Sequence, residues 1–153
     1  MTGTDSPQHR GAGRDLPQLF GDARRWFEEA LLSTLEEQGE TRVSPTQARL
    51  FAVLEKEGTT VSELARRMGV TRQTAHQAVH GLVAEGLLEQ VPHPDSARRR
   101  LIRRTPEGER AHRRAGRILD RLEEELTARI GEDAVTALRA ALERPWGEPP
   151  TLG

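Results

Sequence analysis

Between Thr60 and Arg104 the hydrophobic period switches from that of a helix to that of a strand, and this switch constrains the fold more than any other feature. Thr60-Val61-Ser62-Glu63 reads as a capping box, followed by Leu64, Ala65 and Met68 at helical spacing. Gly69 breaks that run. Thr71 caps a second helix whose apolar side is Ala75, Ala78, Val79, Leu82 and Val83, stopped by Gly86. Leu87–Val91 and Arg99–Arg103 then read as two short strands around a turn at Pro92–Ala97. A helix, a tight turn, a second helix and a strand pair in that order make a winged helix-turn-helix.

Helices flank this unit. Asp15, Pro17 and Gln18 start one that carries Phe20, Ala23, Phe27, Leu31 and Leu35 and stops at Gly39. Ser44-Pro45-Thr46-Gln47 opens another, carrying Leu50, Phe51, Val53 and Leu54 and ending at Gly58. Thr105-Pro106 starts a long helix with one apolar face, Ala111, Ala115, Ile118, Leu122, Leu126 and Ile130, and Asp133 begins a last short one. The expected fold class is mainly α with a small β-hairpin wing and long terminal helices. Residues 1–14 and 145–153 offer too little apolar surface to repay ordering and read as disordered tails.

Composition removes several functions. Cysteine is absent, which excludes disulfides, thiolate metal sites and thiol-based sensing. No apolar run approaches the roughly 18 residues of a membrane helix. Met1–Gly13 lacks a secretion-signal layout, so no membrane association and a cytoplasmic location are expected. Five aromatic residues leave few platforms for unpaired bases. His76 and His80 stand at metal-ligand spacing, but Gln77 occupies the place of a zinc protease's glutamate and no third ligand is evident, so no metal is expected. His93, in the turn, and His112, on a basic face, read as solvated. No phosphate loop or nucleophile–base constellation appears, so neither an enzyme nor a cofactor is expected.

Charge is unevenly distributed. Residues 61–114 hold eleven arginines against six acids, a net of +5, although the whole chain is at -1. Of 23 basic residues only Lys56 is a lysine. A high-GC genome would account for that preference but not for the local excess. Arginine's planar fork suits phosphate or guanine. On the second helix of the motif, Arg72, Gln73, His76, Gln77 and His80 lie outside the apolar set, and none is acidic. They are the candidates for base edges in a DNA major groove. Thr71 and Thr74, at the helix start, are candidates for a phosphate. Arg98, Arg99 and Arg100, with Arg103 and Arg104 beyond, suit phosphates and a minor groove better than a merely solubilising strand edge.

Val61-Ser62-Glu63-Leu64-Ala65, Gly69-Val70-Thr71-Arg72-Gln73-Thr74, Leu82–Leu88 and the stretch His93–Gly108 together resemble the MarR family of winged-helix transcriptional regulators, over residues 16–144. The resemblance implies a wing-tip arginine at Arg98, with Ser96 where the family has aspartate and Asp95 one place off. Arg104 replaces an apolar residue, which implies a more exposed strand end or a different partner. It also implies terminal helices interlocked in a homodimer. The long helix agrees, since its stripe beyond Ala115 outruns a small winged domain. The resulting division is 15–43 amino-terminal dimerisation helix, 44–105 DNA-binding domain and 106–144 carboxy-terminal dimerisation helices. The expected function is a sequence-specific regulator of double-stranded DNA with a pseudo-palindromic operator. It is expected to be a repressor relieved by a small aromatic acid, with Trp26 and Phe27 either bordering the ligand or packing the core. The alternative is a winged-helix protein-interaction module without DNA binding.

Overall fold

The computed structural model describes residues 13–153, so the tail expected over 1–14 lies, but for its last two residues, outside the described residues. Six helices and one hairpin follow in the order α1 Leu16–Glu37, α2 Pro45–Val53, α3 Val61–Met68, α4 Arg72–Ala84, β1 Leu88–His93, β2 Ser96–Arg104, α5 Pro106–Ile130 and α6 Glu132–Glu143. The expected fold class is the one observed.

Local chemistry sets most of the boundaries. The Asp15 carboxylate accepts from the Gln18 N–H at 2.9 Å and starts α1. Ser44 and Gln47 form a reciprocal capping box on α2. Thr60 caps α3 in one direction only, because the Glu63 side chain turns instead to Arg66 and Arg67. Gly69, in the left-handed region at φ 66°, ends α3 and begins the turn into α4.

Two boundaries differ from the sequence expectation. Helix α2 stops at Val53 rather than near Gly58: Leu54 is already extended, and Thr59 pairs with Ile102 of the hairpin. A third short stretch of extended chain thus lies against the wing. The hairpin is also longer than expected. Its register runs from Leu88↔Arg104 to Pro92↔Arg100, and then jumps to His93↔Ser96. Residues 97–99 therefore bulge from β2, beside a proline with no N–H to donate to the ladder.

The core lies between α2, α3, α4 and the hairpin. Leu50, Leu64, Val79, Leu82, Leu88 and Ile102 are fully buried there. Helix α5 crosses from this core to α1 and α6. Its start is fixed by a close approach: a Cβ at Gly108 would stand 2.0 Å from the Leu87 carbonyl oxygen. This is the physical reason for glycine in Thr105-Pro106-Glu107-Gly108. Gly108→Ala must push β1 from α5, and we expect it to cost about 2 kcal/mol, measurable by urea unfolding.

Outside the core, α1, α5 and α6 keep much apolar surface in the open. Phe20, Ile130, Leu138 and Leu142 are all exposed. Trp26 and Phe27 stack edge to face at 4.9 Å, and Trp26 lies under the Arg129 guanidinium. Residues 145–153 form no helix or strand, but the Trp146 indole N–H donates to the Ala141 carbonyl and its ring lies 6.1 Å from that of Phe20.

Candidate nucleic-acid interface

Helix α4 presents one face to the core and the other to solvent. Ala75, Ala78, Val79 and Leu82 are buried, whereas Arg72, Gln73, His76, Gln77 and His80 are exposed. The split follows directly from helical spacing. The first turn of α4 contains no acidic residue, so its free N–H groups face an unopposed positive helix end. The Thr71 hydroxyl is not free for a ligand's acceptor atoms. It accepts from the Thr74 N–H at 3.1 Å and donates to the Thr74 hydroxyl at 2.9 Å. Thr74 keeps its own hydroxyl proton.

The wing and α4 meet at a cleft of about 620 Å³. Arg72 and His76 line it from α4, Arg98, Arg99 and Arg100 from the wing, and Ser62, Glu63 and Arg66 from α3. Residues more than twenty positions apart in sequence thus share one surface. Gln73, Gln77 and His80 lie on α4 outside this cleft. The turn of the wing is at Pro94-Asp95, so Arg98, expected at the tip, stands on the bulge of β2. The missing aspartate is not replaced by Asp95. That residue's N–H donates to His93 Nδ1, while the Arg98 N–H reaches the Ser96 hydroxyl at 3.4 Å.

The arginines divide into two sets. Among the described residues, Arg72, Arg98, Arg99 and Arg100 make no ion pair. The others are committed. Arg103 pairs with Glu89 at 2.7 Å, and Arg66 and Arg67 share Glu63. Those two guanidinium groups hold the Glu63 carboxyl down at about 2. Its contribution to stability is therefore complete above the ordinary value of 4.5 and is lost only as pH falls towards 2. At neutral pH it is a fixed negative charge within the cleft. Glu63→Gln should raise affinity for duplex DNA by about fivefold near 0.15 M salt, one counterion-releasing charge being unmasked. Fluorescence anisotropy would read the change.

Arg104 corrects the sequence expectation. It is neither more exposed nor turned to a separate partner. Its side chain is only 6% exposed. Nη1 donates to the carbonyls of Phe51 and Leu54, at 3.2 and 3.1 Å, and Nε donates to Glu109 at 3.0 Å. The guanidinium also lies over the Phe51 ring. Helix α2 has no basic residue in its last turn, so Arg104 supplies the cation that its carbonyl end favours. Arg67 adds a bond to the Val53 carbonyl. Nothing in the sequence pattern near Arg104 signals this use.

A second concavity, about 140 Å³, lies where α1, α2 and α5 meet. Its walls include Leu31, Leu35, Phe51, Ala111, Ala115 and Leu119. His112, expected to be solvated, lines it and is only partly exposed, 6.0 Å from the Phe51 ring. Burial and the charge of Arg104 both push the His112 pKa down, so it is neutral at pH 7. Neither Trp26 nor Phe27 lines this cavity. Among the described residues no cluster of three metal-ligating side chains occurs, and no helix is long and apolar enough to cross a membrane.

A helix-turn-helix joined to a basic wing, carried on long flanking helices, defines a winged-helix fold. A family model described as MarR family matches residues 43–99. The wild-type MarR protein of E. coli, in its apo form, superposes with a TM-score of 0.72 at 20% identity, over 86% of this chain and 97% of that one. CouR from Rhodococcus jostii, solved with p-coumaroyl-CoA, gives 0.67 at 23% identity, covering 84% and 90%. A MepR variant of S. aureus bound to an oligodeoxyribonucleotide gives 0.56 at 20% identity, covering 85% and 94%. No curated protein sequence matches. The winged part of the chain thus matches the MarR-family model, and the chain as a whole has the fold of these solved proteins.

Proposed function

We propose that this protein is a homodimeric, sequence-specific binder of double-stranded DNA that represses transcription and is relieved by a small molecule. The observation that carries the reading is the cleft itself. Four arginines without carboxylate partners are gathered there from α4 and the wing, on a chain whose formal charge is -1. Such local charge is what phosphate contact requires. Arg72, Gln73, His76, Gln77 and His80 would then read base edges. The start of α4, at Thr71 and Thr74, and Arg98, Arg99 and Arg100 would hold phosphates and enter a minor groove.

The dimer reading rests on α1, α5 and α6. Helix α5 alone is about 37 Å long at 1.5 Å per residue, and the apolar side chains exposed on this face need cover. Residues 15–43 and 106–144 would form the dimer body, 44–105 the DNA-binding domain and 145–153 a tail. Two copies of α4 related by a twofold axis favour half-sites about one helical turn apart. The apolar cavity between that body and the winged domain would seat the relieving ligand, shifting the spacing of the two copies. The cytoplasm is the compartment where such a protein would meet DNA.

Selection of bound fragments from the source genome tests this reading. We expect enrichment of a few pseudo-palindromic fragments. Recovery of fragments no different from the input would overturn it.

A further inference from the structure

The outward face of α4 has a centre and a flank, and the two carry different chemistry. At about 100° per residue, Gln73, Gln77 and His80 lie within about 30° of the direction opposite the buried Ala75, Ala78, Val79 and Leu82. His76 and Arg72 lie about 70° and about 110° round from that direction. The cleft agrees independently: Arg72 and His76 line it beside the wing, whereas neither glutamine nor His80 does. A helix laid in a major groove turns the centre of its outer face to the floor, where the base edges are, and its flank towards the wall. We propose, building on the duplex-binding reading above, that Gln73 and Gln77 determine the sequence this protein selects and that each takes an adenine.

Both amides are free to do so. Both residues are exposed, and among the described residues the only side-chain hydrogen bonds on α4 and its cap join Thr71 to Thr74. A primary amide holds a donor and an acceptor side by side. Adenine presents the matching pair in the major groove, the N7 acceptor beside the N6 donor. Guanine presents two acceptors there, so the amide oxygen meets no donor. His80 lies as centrally, but one ring N–H on N7 does not separate the purines, since both carry that atom. Helix α4 contains no aspartate or glutamate, the side chains that suit cytosine.

Spacing follows from the helix. Four residues advance it by about 6 Å and base steps are about 3.4 Å apart, so the two adenines stand at most about two steps apart in each half-site.

Selection by the full-length protein from a duplex library randomised over both half-sites tests the proposal. We expect two adenine positions per half-site at that spacing. Gln73→Ala should flatten the preference at one and Gln77→Ala at the other, with the urea midpoint of each variant unchanged. In the selected duplex, 7-deazaadenine at one of these positions removes the N7 acceptor. It should weaken binding of the parent by about tenfold. The matching alanine variant should be indifferent to it, while Arg98→Ala should bind more weakly overall yet keep the parent's ratio. Selected half-sites without such adenines, a preference that survives both alanine substitutions, or a parent indifferent to 7-deazaadenine would each overturn the proposal. Those results leave the duplex-binding reading standing, whereas a library from which no sequence is enriched overturns both.

Discussion

Replacing Arg98, Arg99 and Arg100 together by alanine is expected to leave the fold intact and to weaken duplex binding by at least about two orders of magnitude. The estimate comes from counterion release. Each phosphate contact contributes a slope of about 0.9 to log K against log salt, or about fivefold in affinity at 0.15 M. Three such contacts in one subunit multiply to roughly a hundredfold, with a salt slope lower by up to about 3, and the second subunit of a homodimer doubles both exponents. Stability should barely change. All three side chains are exposed and pair with no carboxylate, and surface substitutions of that kind usually stay within about 0.5 kcal/mol. Anisotropy titrations at several salt concentrations, beside a urea melt of the same variant, separate the two effects. Unchanged affinity with an unchanged melt would remove the wing from the interface.

Arg104→Leu should do the reverse. It sits one residue past Arg103 on the same strand and carries the same charge as the bulge arginines, yet its work is internal. Its loss leaves the Phe51 and Leu54 carbonyls without their donor, and leaves Glu109 beside an apolar group. The hydrogen bond from Arg104, aided by its charge, holds the Glu109 carboxyl below its usual range, a sign that the pair is formed in the folded state. Removing one partner of a buried charged pair costs about 3 kcal/mol. The urea midpoint should fall accordingly. At temperatures where the variant remains folded, its duplex affinity should change by less than about threefold, because no phosphate contact is lost. A variant as stable as the parent would mean that the hydrogen bonds of Arg104 contribute nothing net.

These two variants also mark what the sequence could and could not convey. Caps are local: Asp15 to Gln18, Ser44 to Gln47 and Thr71 to Thr74 are each three residues apart, so the helix starts were readable. The exposed face of α4 was readable for the same reason, since a helix sorts its faces within a few residues. Features set by distant pairing were not. The partners of Arg104 at the end of α2 and just past it lie 53 and 50 residues away, and no pattern near position 104 points to them. The pairing of Thr59 with Ile102, which ends α2 early, is equally remote in sequence. A run of arginines looks uniform as text. Only the fold shows that Arg103 and Arg104 are neutralised by Glu89 and Glu109 while Arg98 to Arg100 stay free. The bulge was half legible: Pro92 breaks the ladder in any register, but the jump to His93↔Ser96 depends on where the turn closes. His112 was misplaced because its helical face is basic in sequence, whereas its neighbours in space are Phe51 and an apolar cavity.

The central claim is that α4 and the bulge of the wing form one phosphate-gripping surface. Its most direct test is the salt dependence of binding to a 30-base-pair duplex, followed from about 50 to 200 mM. The account predicts measurable binding at the low end and a log–log slope of about -7 or steeper, from at least the four unpaired arginines in each of two subunits. A duplex left unbound at 50 mM, or bound with an affinity indifferent to salt, would contradict it.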